Sequence, residues 1–75
     1  MFSYGPLVAT LHRKHMVKTD LKLAIGISSA TLAKIGRDEY VSMEVLDKIC
    51  SYLQCGVADV IEHIKDDSID SGVVE

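Results

Sequence analysis

Hydrophobic positions recur at intervals of three and four residues along most of the chain, which is typical of amphipathic helices. Short polar or glycine-containing interruptions divide this pattern into five predicted helices. Their approximate ranges are residues 6–15, 18–25, 29–37, 43–54 and 57–64. Residues 1–5 are predicted to be an extended lead-in, and residues 66–75 to be an acidic, disordered tail. The pattern therefore indicates a compact all-α domain of five helices over residues 1–65.

Each predicted helix has an apolar face that we expect to point into a common core. The last of the five is also our candidate for a dimer contact, because a short terminal helix has apolar residues to spare. The inward positions, in helix order, are Leu7, Val8 and Leu11; Leu21, Ala24 and Ile25; Leu32 and Ile35; Val45, Leu46, Ile49, Cys50 and Leu53; and Val57, Val60, Ile61 and Ile64.

Residues that favour helix ends stand at the predicted boundaries. Pro6 suits a first helical turn, where its missing amide hydrogen costs nothing. Thr19 is a capping candidate for the second helix, and Ser28 and Ser42 are predicted to cap the third and fourth. Gly26 follows the second helix and can adopt the left-handed conformation that ends a helix. Residues 18–37 thus predict two short helices joined by a tight turn, the helix-turn-helix geometry.

The composition narrows the class of protein. A chain of 75 residues forms one domain, and its few aromatic residues and glycines argue against a small barrel or sandwich. Its uncharged stretches, such as residues 23–33, are far shorter than the roughly 20 apolar residues that span a bilayer. Since no secretory signal pattern opens the chain, we expect a cytoplasmic protein without a membrane partner.

The charges are divided unevenly along the chain, although the net charge is only −3. Residues 12–37 contain six lysines and arginines against one acidic residue, whereas residues 38–75 contain two against ten. The first half is therefore suited to face phosphate groups, and the second half keeps the protein in solution and away from DNA on the wrong side.

No pattern for catalysis or for a cofactor is visible. Cys50 and Cys55 have neither zinc nor disulfide-framework spacing, and free cysteines generally pack as small hydrophobic residues. His12 and His15 lie three residues apart but lack a third ligand at a suitable spacing. Neither a nucleophile–base set nor a glycine-rich phosphate loop is present. We expect no enzymatic activity, no metal, no cofactor and no small-molecule ligand.

Three stretches resemble the Cro/cI-type (XRE-like) helix-turn-helix regulators of bacteria and their phages. They are residues 18–21 (KTDL), residues 26–29 with 31–34 (GISS and TLAK) and residues 39–43 with 45–50 (EYVSM and VLDKIC), and the resemblance extends over about residues 4–65. It implies a fold of the lambda-repressor-like type and a dimer whose third helix enters the major groove of double-stranded DNA. Two half-sites would then lie about 34 Å apart.

The side chains predicted to face outward have the chemistry of DNA contacts. Lys34 and Arg37 can donate to guanine edges or phosphates, short hydroxyl groups offer further hydrogen bonds, and Ala30 can contact a thymine methyl group. Lys18, Thr19 and the first amide groups of the second and third helices are placed for phosphates. The candidate DNA-contacting residues are Lys18, Thr19, Ser28, Ser29, Ala30, Thr31, Lys34 and Arg37.

The chain departs from the family pattern at Lys22, where a small residue is usual. Either the Lys22 stem lies along the helix pair with its ammonium in solvent, or the second helix sits slightly differently. Leu23 is apolar where a polar residue is common and is a candidate contact surface. The main prediction is a sequence-specific, DNA-binding transcriptional regulator, a repressor rather than an activator. The alternative is a protein–protein interaction module on the same fold that does not bind DNA.

Overall fold

The computed structural model describes residues 1–65 and is mainly helical. Its elements are β1 (Phe2–Ser3), α1 (Gly5–Arg13), α2 (Lys18–Ile25), α3 (Ser29–Gly36), α4 (Met43–Leu53), a 3₁₀ turn (Val57–Asp59) and β2 (Glu62–His63). The predicted helical class is confirmed, but the count of five helices is wrong, since this part of the chain has four α-helices. The predicted acidic tail, residues 66–75, lies outside the described residues.

Helix α1 packs against the core through Leu7, Thr10 and Leu11, with Pro6 in its first turn as predicted. Val8 was expected inward but is exposed, because the buried positions follow a narrower stripe than the sequence pattern suggested. The helix ends at Arg13, two residues earlier than predicted. The chain then turns through His15, which has a φ of 58°, and the Met16 amide donates to the Leu11 carbonyl at 2.9 Å.

Helices α2 and α3 and their connection form the predicted helix-turn-helix unit. Gly26 has a φ of 74° and donates its amide hydrogen to the Lys22 carbonyl at 2.9 Å, which ends α2. Ser28 caps α3, since its Oγ accepts the Thr31 amide hydrogen at 3.1 Å. Of the predicted inward residues of α2, Leu21 is fully buried and Ile25 is half-buried, but Ala24 is exposed.

Thr19 is not the cap of α2, contrary to the sequence prediction. The capping position is Val17, whose amide donates to the Asp20 carboxylate at 3.1 Å. The Asp20 carboxylate, at the third helical position, thus fixes the helix start two residues before the predicted cap. Thr19 lies inside the first turn with an exposed side chain.

Helix α4 supplies the apolar layer on which α2 rests. Ser42 Oγ accepts the Val45 amide hydrogen at 3.2 Å, which confirms the predicted cap. The inward residues Leu46, Ile49 and Leu53 are buried, and Gln54 ends the helix in the left-handed conformation with a φ of 55°.

The predicted fifth helix, residues 57–64, is wrong. Only a 3₁₀ turn forms, and the chain then extends as β2 to pair antiparallel with β1, with Phe2 opposite His63 and Ser3 opposite Glu62. The Val60 side chain is fully buried, and its carbonyl accepts the Leu7 amide hydrogen at 3.1 Å. Val60 and the half-buried Ile61 therefore serve the monomer core, which leaves this segment fewer apolar residues for a dimer contact than expected.

One core unites these elements. Its buried hydrophobic members are Tyr4, Leu7, Leu11, Leu21, Ile27, Ile35, Leu46, Ile49, Leu53 and Val60. Thr10, 1% exposed, is the polar side chain buried among them, and its hydroxyl donates to the Asp59 carbonyl at 2.8 Å. Across residues 1–65, no helix is long and apolar enough to cross a membrane.

Candidate nucleic-acid interface

The outer face of α3 is exposed while its inner face is anchored. Ile35 is buried, Leu32 is half-buried against the core, and the turn residue Ile27 is buried beneath the start of the helix. The helix is thus held by one side only. The predicted outward residues Ala30, Lys34 and Arg37 are exposed, and so are Ser29 and Ala33.

The start of α3 presents hydroxyl and amide donors. Ser28 Oγ accepts the Thr31 amide hydrogen and donates its own hydrogen to Thr31 Oγ1 at 3.0 Å. Because Thr31 Oγ1 accepts in this pair, its own hydrogen remains available to an outside acceptor. The amides of Ser29 and Ala30 belong to the first helical turn, which has no intrahelical acceptor and carries the positive end of the helix dipole. Such an end favours an anion.

Three cations lie around the other end of α3. Lys34 occupies its last turn, Arg37 follows it as the C-terminal capping residue, and Lys18 reaches it from the start of α2. The Lys18 ammonium nitrogen is 3.9 Å from the position that a Cβ on Gly36 would occupy. The structure therefore brings Lys18, Lys34 and Arg37 to one region, although they are up to 19 residues apart in sequence.

Arg37 is already paired, which the sequence did not indicate. Its Nε donates to Glu39 Oε2 at 2.7 Å and its Nη2 to Oε1 at 3.4 Å, with side-chain exposures of 60% and 48%. The hydrogen bond from Arg37 lowers the pKa of the Glu39 carboxyl, and the charge of Lys34 lowers it further. The same contact raises the pKa of Arg37 above its usual range. Glu39 is thus a residue of this region that sequence reasoning missed, since periodicity does not extend past a helix end.

Two more missed residues hold the loop after α3. The hydroxyl of Tyr4 donates to the Glu39 carbonyl at 2.7 Å, and the Tyr4 amide donates to Asp38 Oδ1 at 3.0 Å. Burial raises the pKa of Tyr4, and the Asp38 charge adds to this effect. These contacts join positions more than 30 residues apart, so only the folded chain reveals them.

The remaining candidates of the sequence analysis lie on neighbouring surfaces. Lys22 is half-buried on α2, which fits a stem packed along the helix pair, and Leu23 beside it is 73% exposed. Cys50 and Cys55 are free and half-buried, and burial raises the pKa of the Cys55 thiol. Between Met1 and Lys65, no cluster of three or more metal-ligating side chains is formed.

Comparison with known proteins agrees with this geometry. The family model for the Cro/C1-type helix-turn-helix DNA-binding domain matches residues 7–66. Among solved structures, the chain is similar to the crystal structure of transcriptional regulator VanUg, Form II, with 42% sequence identity and a TM-score of 0.84. That similarity covers 87% of each chain. No curated protein matches the chain significantly.

Proposed function

Because the chain belongs to the Cro/C1-type helix-turn-helix DNA-binding family, we propose that it binds specific double-stranded DNA sites as a homodimer and represses transcription in the cytoplasm of a bacterium or phage-infected cell. Helix α3 lies in the major groove, and the family assignment makes the chain a DNA-binding regulator rather than an enzyme.

The observation that carries the proposal is the exposure of one complete face of α3 on a helix fixed by the other. Ile35 and Leu32 hold α3 to the core, so the outer face can enter a groove without any loss of packing. The face carries small side chains towards its start and cations at its end. A helix with small outward residues approaches base edges closely, and the cations then meet guanines or phosphates.

Each candidate residue has a distinct proposed role. Ser29, Ala30 and Thr31 contact base edges near the start of α3, and Lys34 and Arg37 contact bases or phosphates near its end. Thr19 and Lys18 contact the phosphate backbone beside the groove. Ser28 orders the first turn through its cap and presents the adjacent amides to a phosphate.

Repression and dimerisation follow from the same binding mode. Occupancy of a promoter site by itself excludes polymerase, whereas activation requires an additional favourable contact with polymerase. A dimer doubles the contacts and reads two half-sites about 34 Å apart. Exposed apolar side chains such as Val57 and Ile64 remain available in the segment where a dimer contact was predicted.

Selection of bound sites from a random duplex library tests sequence preference, symmetry and half-site spacing together. Enrichment of a palindrome with two half-sites one helical turn apart is the expected result. Failure to enrich any sequence at low salt contradicts specific binding. Sedimentation with and without the selected duplex then measures stoichiometry, and one protomer per palindrome contradicts the homodimer.

Substitutions separate base readout from phosphate contact. Lys34→Ala is expected to weaken binding and relax the preference at one position, whereas Lys18→Ala weakens binding to all sequences alike. Lys48→Ala is the matched control, because it removes the same charge from α4, where Lys48 pairs with Glu44 at 3.9 Å. Equal effects of all three changes would show that only overall charge matters.

A second candidate function is a protein–protein interaction module without DNA binding. Leu23 on α2, which is 73% exposed, is the side chain that such a module would use as a contact residue. Duplex retention by the wild type separates the two functions, because a pure interaction module retains no DNA. Leu23→Ser then leaves DNA affinity unchanged if α3 is the element that binds DNA.

A further inference from the structure

The last turn of α3 and the residues after it form a small charged cluster, composed of Lys34, Arg37 and Glu39. The Arg37 amide donates to the carbonyls of Ala33 and Lys34, at 3.2 and 3.1 Å, so the backbone of Arg37 continues the last turn of the helix. The Glu39 amide donates to the Lys34 carbonyl at 2.8 Å. The chain thus folds back, and the Glu39 carboxylate reaches the Arg37 guanidinium.

The pairing occupies one edge of the guanidinium and leaves the other edge free. Arg37 uses Nε and Nη2 towards the two carboxylate oxygens of Glu39. Of the five N–H donors of an arginine, the two on Nη1 and one on Nη2 therefore stay available. These donors form the fork that fits the O6 and N7 acceptors of a guanine in the major groove.

Glu39 is itself held in place, which distinguishes this pair from an ordinary surface ion pair. Its carbonyl accepts the hydroxyl hydrogen of Tyr4, which is 5% exposed, and its amide is bonded to α3. The neighbouring Asp38 carboxylate accepts the Tyr4 amide hydrogen. A carboxylate on a fixed backbone restricts the rotamers of its arginine partner before any ligand arrives.

We propose that Glu39 is a specificity-determining residue that orients Arg37 towards a guanine. It holds the Nε edge of the guanidinium, so that the free Nη1 and Nη2 donors face one base and do not contact several nearby phosphates in turn. Its negative charge also repels phosphates from this position. Arg37 then contributes mainly to base discrimination, and Glu39 contributes without contacting DNA. The inference rests on the proposed function, because it requires α3 to lie in the groove.

The test compares affinities for the selected duplex, for duplexes with one base pair changed at each position, and for an unrelated duplex. With Glu39→Gln, discrimination against non-guanine bases at one position of each half-site is expected to fall by about tenfold. Affinity for the unrelated duplex is expected to rise, because a repelling charge is removed. Arg37→Ala abolishes the preference at the same position, and adding Glu39→Gln to it changes nothing further there.

Glu44→Gln is the matched control, since it removes an exposed carboxylate that pairs with Lys48 on α4 and does not contact Arg37. It should leave discrimination at every position unchanged. Far-ultraviolet circular dichroism confirms that each variant is folded. The inference is overturned if Glu39→Gln raises affinity for all duplexes equally, or if its effect on base discrimination persists in the Arg37→Ala background. If the wild type enriches no sequence, the proposed function fails as well; if it does and Glu39→Gln keeps every preference, this inference fails alone.

Discussion

Removal of the Tyr4 hydroxyl tests how strongly the N-terminal segment is fastened to the loop after α3. Tyr4→Phe keeps the buried ring and deletes the 2.7 Å hydrogen bond to the Glu39 carbonyl, so no cavity is created. A hydrogen bond of this kind contributes about 0.5–1.5 kcal/mol. For a domain of this size, a loss of about 1 kcal/mol lowers Tm by roughly 4–8 °C. Thermal unfolding near neutral pH measures this change directly.

The pH dependence of the same variant provides an independent check. Burial and the Asp38 charge raise the pKa of Tyr4 in the folded protein above the ordinary value of about 10. Between the unfolded and the folded pKa, Tyr4 keeps its proton in the folded state and loses it in the unfolded state. The stability that the neutral hydroxyl contributes is therefore complete below about pH 10 and is lost as pH rises through the folded pKa. As pH rises above about 10, the stability difference between wild type and Tyr4→Phe should narrow.

The control for both measurements is Tyr52→Phe, which removes a hydroxyl from an exposed tyrosine on α4. It should change Tm near neutral pH by much less than Tyr4→Phe. The reasoning is refuted if Tyr4→Phe is as stable as the wild type near neutral pH. A stability difference that stays constant through the alkaline range would equally contradict a raised pKa of Tyr4 in the folded protein.

Three further changes probe other parts of the structure. Thr10→Val should cost about 1–3 kcal/mol, because it leaves the Asp59 carbonyl without its 2.8 Å donor; denaturant unfolding measures this, and Thr10→Ser, which keeps the hydroxyl, should cost less. Gly26→Ala should lower the free energy of unfolding by about 1–2 kcal/mol through the left-handed backbone alone, since no atom lies within 4 Å of the added Cβ. Gly26→Asn should lower it by less, and equal losses for the two variants would argue against a conformational cause. Lys18→Ala should reduce the slope of log affinity against log salt by about 1, measured by salt titration of DNA binding; an unchanged slope would indicate that Lys18 stays beside α3 and does not meet a phosphate.

The helix-turn-helix unit was predictable because its determinants are local. Gly26 supplies the left-handed turn, Ser28 and Ser42 accept amide hydrogens three residues ahead, and each acts within about one helical turn. Hydrophobic spacing identified Leu21 and Ile35 as inward residues for the same reason. The outward residues of α3 were predictable for the same reason, because once one face of a short helix is known to be buried, the opposite face must be the exposed one.

One error lies where a distant segment competes with local preference, and the other where one local contact competes with another. Residues 57–64 have helical spacing, yet an available strand at Phe2–Ser3 and a core position for Val60 draw the chain into a turn and β2. Thr19 is a good capping residue in isolation, but the Asp20 carboxylate reaches the Val17 amide and moves the helix start. The spacing of hydrophobic residues in the sequence reports neither the strand pairing nor the choice between two capping contacts.

For this protein, the amino-acid sequence alone determined the family, the helix-turn-helix unit and most of the outward side chains of α3, because helix caps, a glycine turn and apolar spacing depend on near neighbours. The tertiary structure decided what surrounds them: the Arg37–Glu39 pair past the helix end, the approach of Lys18 to Gly36, and the Tyr4 contact with the loop. The pair is local in sequence but depends on a backbone that Tyr4 fixes from 35 residues away. Contacts over such separations arise only when the whole core is formed.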